Sequence, residues 1–325
     1  MTTGRNTDDE IVRRLLTDQI ERIWGRGETE LVDQNYADEI VDHMPVPGQP
    51  GGREALKQVV RDFREGITGL EMTLHTVLAA GGYGVDVWTL TGRHGGELMG
   101  RPASGQPISI SGIDMIRTRD GRISELWHVE EMAQLAAQIG EEPVAFGSPS
   151  GHAPLSPAQA QSQPQSQAPP GEQAVVPGQD SFTARERRNL AIARRHIEEI
   201  WAGGHAELCH QMYHPKVIDH NKAPGQRPGI EGIMDVLHWL REAVPDLAMT
   251  IECYLIDGDF VADRWMMTGT HTGAPLMGVK ASGKAFRING MDVARIDDEG
   301  LITDIWHAEE FHQLLQQISP ARRES

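Results

Sequence analysis

The chain is short of cysteine, of aromatic residues and of positive charge, and each shortage closes off a class of function. Only Cys209 and Cys253 occur in 325 residues. Two are too few for a disulfide framework and read as free core thiols of a reducing cytoplasm. Neither stands in a motif that would lower a thiol pKa, so a cysteine nucleophile is not expected. Aromatic residues make up 5% of the chain, and Lys and Arg number 30 against 47 Asp and Glu, a formal net charge of −17. A chain this acidic has no basic face with which to displace counterions from a phosphate backbone, which excludes nucleic acid as a partner. The same charge disfavours an anionic membrane surface. No apolar run approaches the length that crosses a bilayer. The start, MTTGRNTDDEIVRRLL, is polar and acidic, without the apolar core of a signal peptide. The expectation is a cytoplasmic protein without membrane contact. Apolar residues at 39% and charged residues at 24% suit a soluble globular chain. Its length allows two domains with a core each.

What the chain does have is itself, twice. IERIWGRG (Ile20–Gly27) recurs as IEEIWAGG (Ile197–Gly204). At the same offset VDH (Val41–His43) meets IDH (Ile218–His220), and Trp88 meets Trp265. One inserted residue later SGIDMIR (Ser111–Arg117) matches NGMDVAR (Asn289–Arg295). After one more insertion, Trp127-His128 falls on Trp306-His307, both inside the pattern Trp-His-x-Glu-Glu. A register held this long is a domain duplication, whereas a solenoid needs shorter and more numerous repeats. The segment between the copies carries eight of the nineteen prolines and few large apolar residues. It cannot bury enough surface to offset its ordering entropy, so residues 141–182 are expected to be a flexible tether between domains at 8–140 and 183–319.

Within each copy the period changes from helical to extended. DEIVRRLLTDQIERIW and RNLAIARRHIEEIW place apolar residues three and four apart, and glycines follow as stops. GREALKQVVRDFREG and GIEGIMDVLHWLREAVP predict a second helix. Four strand-like segments come next, the last two joined by the turn signals RDGR and DDEGL. Helices followed by antiparallel strands give an α+β domain, with the helices over one face of a curved sheet.

Several stretches of the second copy, DHNKAPGQRPGIEG, VPDL, DGDFVADRWMMTGTHTG, LMGVKASGK and GMDVARIDDEGLITDIW, together resemble the SnoaL-like polyketide cyclases, or ester cyclases, of the nuclear transport factor 2-like superfamily. The first copy is similar but has GGREA for PGxEG, TGL for PDL, and Val87 where the second has Arg264. The resemblance implies two tandem cone-shaped α+β barrels, each with a deep apolar pocket. It also implies chemistry without metal or organic cofactor, typically an aldol ring closure of a polyketide ester. In the family the acid/base is usually an Asp on the last strand, where this chain has His128 and His307. Its partner stands three residues before the Arg of the preceding strand, where this chain has Asp114 and Asp292. The pair stands exchanged.

Period-two alternation puts His307 on one face with Ile305 and Thr303, and Asp292 with the small residues Gly290 and Ala294. A hairpin that faces both inward makes a hydrogen-bonded His–Asp dyad in which the carboxylate raises the imidazole's basicity. His307 and His128 are therefore read as acid/base, oriented by Asp292 and Asp114. His220 and His43 follow an Asp and precede loop prolines; a cap and a pocket wall are both open to them. His271 and His94 end strands as pocket-lining or structural residues. Glu310 and Glu131 begin the last helix, where its N-terminus favours a carboxylate. Arg264 is placed to hold a substrate carboxylate or to pair with a buried acid. Trp265 and Trp88 are core or substrate platform. Histidines with carboxylates suit zinc or iron, but none of these candidate histidines stands at His-x-His or His-x-x-x-His spacing to another, so no metal is expected.

The function expected is a cofactor-independent cyclase or isomerase/lyase acting on an apolar, polyketide-like carbonyl compound. His307 is its acid/base, and His220 and Arg264 help to bind. A small-molecule binder that sequesters its ligand, and a hydrolase or dehydratase using the same dyad, are the alternatives. The copies are expected to pack as an intramolecular pseudo-dimer, with further homo-oligomerisation left open.

Overall fold

Val12, Leu15 and Leu16 recur at helical spacing and are buried, while Asp8, Asp9 and Glu10 occupy the first turn, where the helix N-terminus favours acids. They define α1 (Thr7–Thr17), which widens without a break into a π-helical stretch over Asp18–Trp24. Gly27, at a φ of 78°, ends it and bonds back to the Ile23 carbonyl. The computed structural model describes residues 7–45, 51–140, 174–223 and 225–319. The chain divides into two compact units, Met1–Gln173 and Ala174–Ser325. The tether expected over 141–182 lies outside the described residues as far as 173.

After α1, unit 1 continues with α2 (Leu31–Asn35), β1 (Tyr36–Asp42) and α3 (Arg53–Gly66). The strands β2 (Ile67–Ala80), β3 (Tyr83–His94), β4 (Pro107–Arg119) and β5 (Arg122–Glu130) follow, then α4 (Met132–Gln138). The sheet order is β1-β5-β4-β3-β2. β1 runs parallel to β5 and every other pair is antiparallel, so the sheet is mixed. The two short parallel edge strands, β1 and its counterpart in unit 2, were not expected. Their exposed, charge-rich alternation looks like loop until a neighbour pairs with it. One core packs Leu15, Leu16 and Val60 of the helices against Ile116 and Ile123 of the sheet. A second holds Trp88, Leu90, Ile108 and Leu135.

Unit 2 repeats the order. A capping box between Thr183 and Glu186 opens α5 (Ala184–Arg195), which again widens into a π-helix, His196–Ala202. Then come α6 (Cys209–Met212), β6 (Tyr213–Asp219), α7 (Gly229–Ala243) and β7 (Ala248–Asp257). β8 (Phe260–Thr270), β9 (Ala285–Ile296), β10 (Ile302–Glu309) and α8 (Phe311–Ile318) complete it. The sheet order is β6-β10-β9-β8-β7, with β6 parallel to β10.

The unit begins earlier than the composition suggested. Val175 pairs with β7, its N–H bonding the Glu252 carbonyl and its carbonyl taking the Tyr254 N–H, both at 2.9 Å. Phe182 enters the core at 7% exposure. Proline content alone could not separate this ordered lead-in from the segment before it.

Candidate active site

Antiparallel register draws a row of ionisable groups across the second sheet. Tyr254 on β7 stands opposite Asp263 on β8, Asp263 opposite Asp292 on β9, and Asp292 opposite His307 on β10. Directly opposed residues share a face of the sheet. Glu309, two residues past His307, shares that face too. A register shift in the parallel pairing of β6 with β10 brings Asp219, the last residue of β6, up to the row.

His307 is held at both ring nitrogens. Nδ1 lies 2.8 Å from Glu309 Oε1 and Nε2 lies 3.1 Å from Asp219 Oδ1. Ionised carboxylates only accept hydrogen bonds, so both nitrogens must donate and the ring is an imidazolium. Burial by itself pulls its pKa down, but the charges and hydrogen bonds of Glu309 and Asp219 outweigh this and hold it well above the ordinary histidine value. Burial raises Asp219, yet the His307 hydrogen bond and charge bring it below the usual carboxylate value. Gln226 and the Asn221 N–H also donate to Asp219.

The expected hydrogen bond between His307 and Asp292 is not made. Asp292 stands opposite His307 in register but is not its hydrogen-bond partner, and a ring with both N–H groups engaged cannot take up a proton. Asp292, opposite it, is held differently. Burial lifts its pKa, the His307 charge pulls it back, and the balance falls at about 7. Protein surrounds this carboxyl closely, yet the residue keeps part of its surface open to solvent. The place beside it at Gly290 is filled. Trp265 lies flat over that glycine, where an added Cβ would come within 2.2 Å of the ring. The indole N–H reaches toward the Asp292 carboxyl and lowers its pKa without completing a hydrogen bond.

Unit 1 has the same row. His128 Nδ1 meets Glu130 at 2.6 Å and Nε2 meets Asp42 at 3.2 Å. Asp114 is opposite both His128 and Asp86 and also sits at about 7, raised first by burial and then by the Glu130 charge. Trp88 covers Gly112 as Trp265 covers Gly290. The units differ in what the π-helix delivers. In unit 1, Gln19 donates from Nε2 to Asp114 Oδ2 at 2.5 Å and accepts from the Tyr36 hydroxyl at 2.6 Å. Asp114 is thereby covered, at 4% exposure. In unit 2 the same position is His196, lowered to about 4 by burial and so neutral. Its Nε2 takes the Trp201 N–H at 3.0 Å and lies 2.5 Å from the Tyr213 hydroxyl. It makes no hydrogen bond to Asp292, which stays open.

Apart from the two tryptophans, the remaining expected residues lie away from the row. His220 stacks on Trp306 at 4.2 Å and pairs with Asp304; His43 does the same with Trp127 and Glu125. Trp306 and Asp304 alternate with His307 along β10, so these histidines belong to the opposite face. Arg264 likewise alternates with Asp263 and forms a buried ion pair with Glu252 at 2.8 Å. His94 and His271 are fully buried and tie down the loops after β3 and β8, His94 through Ser104 and His271 through the Ala274 carbonyl. Glu131 and Glu310 accept the backbone N–H groups of Ser111 and Asn289, pinning the last helix of each unit to its sheet. Trp88 and Trp265, at 6% and 2% exposure, are walls beside the carboxyl and not open platforms.

Sequence reasoning passed over Asp42/Asp219, Glu130/Glu309 and Asp86/Asp263. All three pairs recur at matching positions of the two copies. That recurrence was a usable signal: in VDH and IDH the acid, and not the histidine, reaches the site. Among the described residues no group of three or more His, Cys, Asp or Glu side chains is arranged to hold a metal ion. No described helix is long and apolar enough to cross a membrane.

The family model for SnoaL-like polyketide cyclases matches residues 14–139 and 191–318, one stretch in each unit. No curated protein matches the chain. Among solved structures, a candidate polyketide cyclase from Bacillus cereus is 28% identical over 45% of this chain and 89% of its own, with a TM-score of 0.38. TsrD from Streptomyces laurentii is 25% identical over 41% of this chain and 96% of its own, with a TM-score of 0.37. IdmH of Streptomyces antibioticus, a candidate polyketide cyclase, is 26% identical over 39% and 96%, with a TM-score of 0.35.

Proposed function

The chain belongs to the SnoaL-like polyketide cyclases, a family of cyclase and isomerase type, and from that premise we propose that unit 2 closes a ring in an apolar, polyketide-like carbonyl compound with Asp292 as its acid/base. The observation that carries this reading is an Asp292 carboxyl at about 7 that remains partly open. A base is most effective when its pKa lies near the working pH, and a positioned one is worth about 10² to 10⁴ in rate. Asp292 takes the proton from the carbon alpha to a carbonyl, leaving an enolate. The enolate carbon forms a bond to a second carbonyl of the same molecule, and the alkoxide so formed takes the proton back from Asp292. His307 contributes a fixed positive charge beside the base and moves no proton, because Glu309 and Asp219 occupy both of its N–H groups. No step needs a metal or an organic cofactor.

A second reading applies to unit 1, where Gln19 covers Asp114. There the binding alternative is favoured: the same class of ligand is held without turnover. The test is proton exchange in heavy water, read by NMR on a panel of aryl β-keto esters, with mass spectrometry for ring-closed product. The whole protein should catalyse alpha-proton exchange, and Asp292→Asn should abolish it. Exchange undiminished in Asp292→Asn would overturn the assignment. Ester cleavage or loss of water without ring closure would return the hydrolase or dehydratase reading.

A further inference from the structure

Asp263 and Asp86 take no part in the chemistry above, yet they are the most deeply placed acids of the two rows, at 4% and 0% exposure. Each stands directly opposite a site aspartate, Asp263 opposite Asp292 and Asp86 opposite Asp114. Directly opposed residues bring their Cβ atoms to about 4.5–5.5 Å, where two carboxylates repel. Among the described residues, neither cross-strand neighbour of Asp263 is positive, so nothing there relieves this. On its other side is Tyr254 of β7, whose hydroxyl has no hydrogen-bond partner among the described residues. The one cation of the row, His307, lies beyond Asp292 and is engaged by Glu309 and Asp219. Asp263 Oδ1 and both oxygens of Asp86 also lack a partner among the described residues. An ionised carboxylate so deep and without a cation, aided at Asp86 only by the approach of the Asp114 backbone N–H, is far less favourable than a neutral acid. A neutral acid has an O–H to give, and the acceptor opposite it is the site carboxylate.

We propose that Asp263 is a neutral buried acid that donates its hydrogen bond to Asp292, and is thereby a positioning residue for the base, with Asp86 in the same relation to Asp114. The direction of its titration agrees: burial, and then the Asp292 charge, hold Asp263 well above the ordinary carboxylate value. The hydrogen bond ties up one oxygen of Asp292 and leaves the other to meet a substrate. It also favours the ionised form, restraining the rise that burial imposes. This rests on Asp292 as the base, but it can be tested without any substrate.

The experiment follows the carboxyl carbons of the full-length protein by NMR after carbon-13 labelling of aspartate, with Asp263→Asn and Asp86→Asn removing one resonance each for assignment. Asp263 and Asp86 should keep neutral-acid shifts to at least about pH 8, while Asp292 titrates near 7. Asparagine still donates, so Asp263→Asn should leave the Asp292 midpoint within about half a unit. Valine suits a strand but cannot donate, so Asp263→Val should raise that midpoint by about one unit or more. An Asp263 that titrates in the ordinary carboxylate range overturns the proposal, even if Asp263→Val does not fold. So does an Asp292 midpoint that Asp263→Val leaves unmoved. A neutral Asp263 together with undiminished proton exchange in Asp292→Asn would instead sink the proposed function and leave this inference standing.

Discussion

A base at Asp292, as proposed, works only while ionised, so with its pKa at about 7 activity should climb with pH through neutrality. At pH 6 about a tenth of the sites would be ionised. A rate flat between pH 5.5 and 8.5 would contradict the assignment. His307→Gln keeps hydrogen-bonding capacity but removes the charge. It should cost about tenfold or more in rate and move the pH midpoint, because Asp292 loses its positive neighbour while Glu309 and Asp219 remain. Stability follows with its own sign. Asp292 and His307 are both raised on folding. Their contributions are fully present below their unfolded values, near 4 and 6.5, and are lost as pH rises through the folded values. Asp219 is lowered, so its contribution is present above about 4 and is lost as pH falls further. Thermal melts should therefore decline above neutrality. Asp292→Asn, which mimics the neutral acid, should melt a few degrees higher than the parent at pH 8 and little differently at pH 4 or below.

At the scale of elements, the site depends on close approach and on a widened helix. Gly290 is glycine because Trp265 lies across it. Gly290→Ala should cost about 1–3 kcal/mol by thermal melting and should displace the indole from Asp292, visible as a change in tryptophan fluorescence. The π-helical stretches aim residue 19 in unit 1 and residue 196 in unit 2 inward. Such departures from α-helix are common at functional sites. His196→Gln offers Asp292 the amide that Asp114 already has from Gln19. It should lower the Asp292 midpoint and the rate while leaving the melt nearly unchanged. The helices themselves were legible from three- and four-residue spacing. Their widening was not, because the apolar pattern of IERIW and IEEIW reads the same in either kind of helix.

For the whole molecule, duplication has produced two rows with unequal access. Asp292→Asn should remove turnover, while Asp114→Asn should leave it within about twofold, since Gln19 already covers Asp114. Equal losses from the two substitutions would mean two working sites and would overturn the division of labour. The start of unit 2 at Ala174 has its own test. Phe182→Ala should cost about 3–5 kcal/mol, a loss that a residue in a free tether would not produce.

From the sequence alone came the duplication, the α+β order of elements, the family resemblance and the strands that carry Asp292 and His307. Periodicity decides which residues share a face, and repetition shows which acids and histidines recur, so Asp114, Asp292, His128 and His307 could be named from residues alone. Only the tertiary structure decided which partners those residues meet. Glu309 is a neighbour in the chain, but Asp219 is 88 residues from His307 and arrives through a parallel edge strand and a register shift that no local pattern announces. His307 meets two carboxylates and becomes a fixed cation. Asp292, between a buried acid and that cation, is the group proposed to give and take.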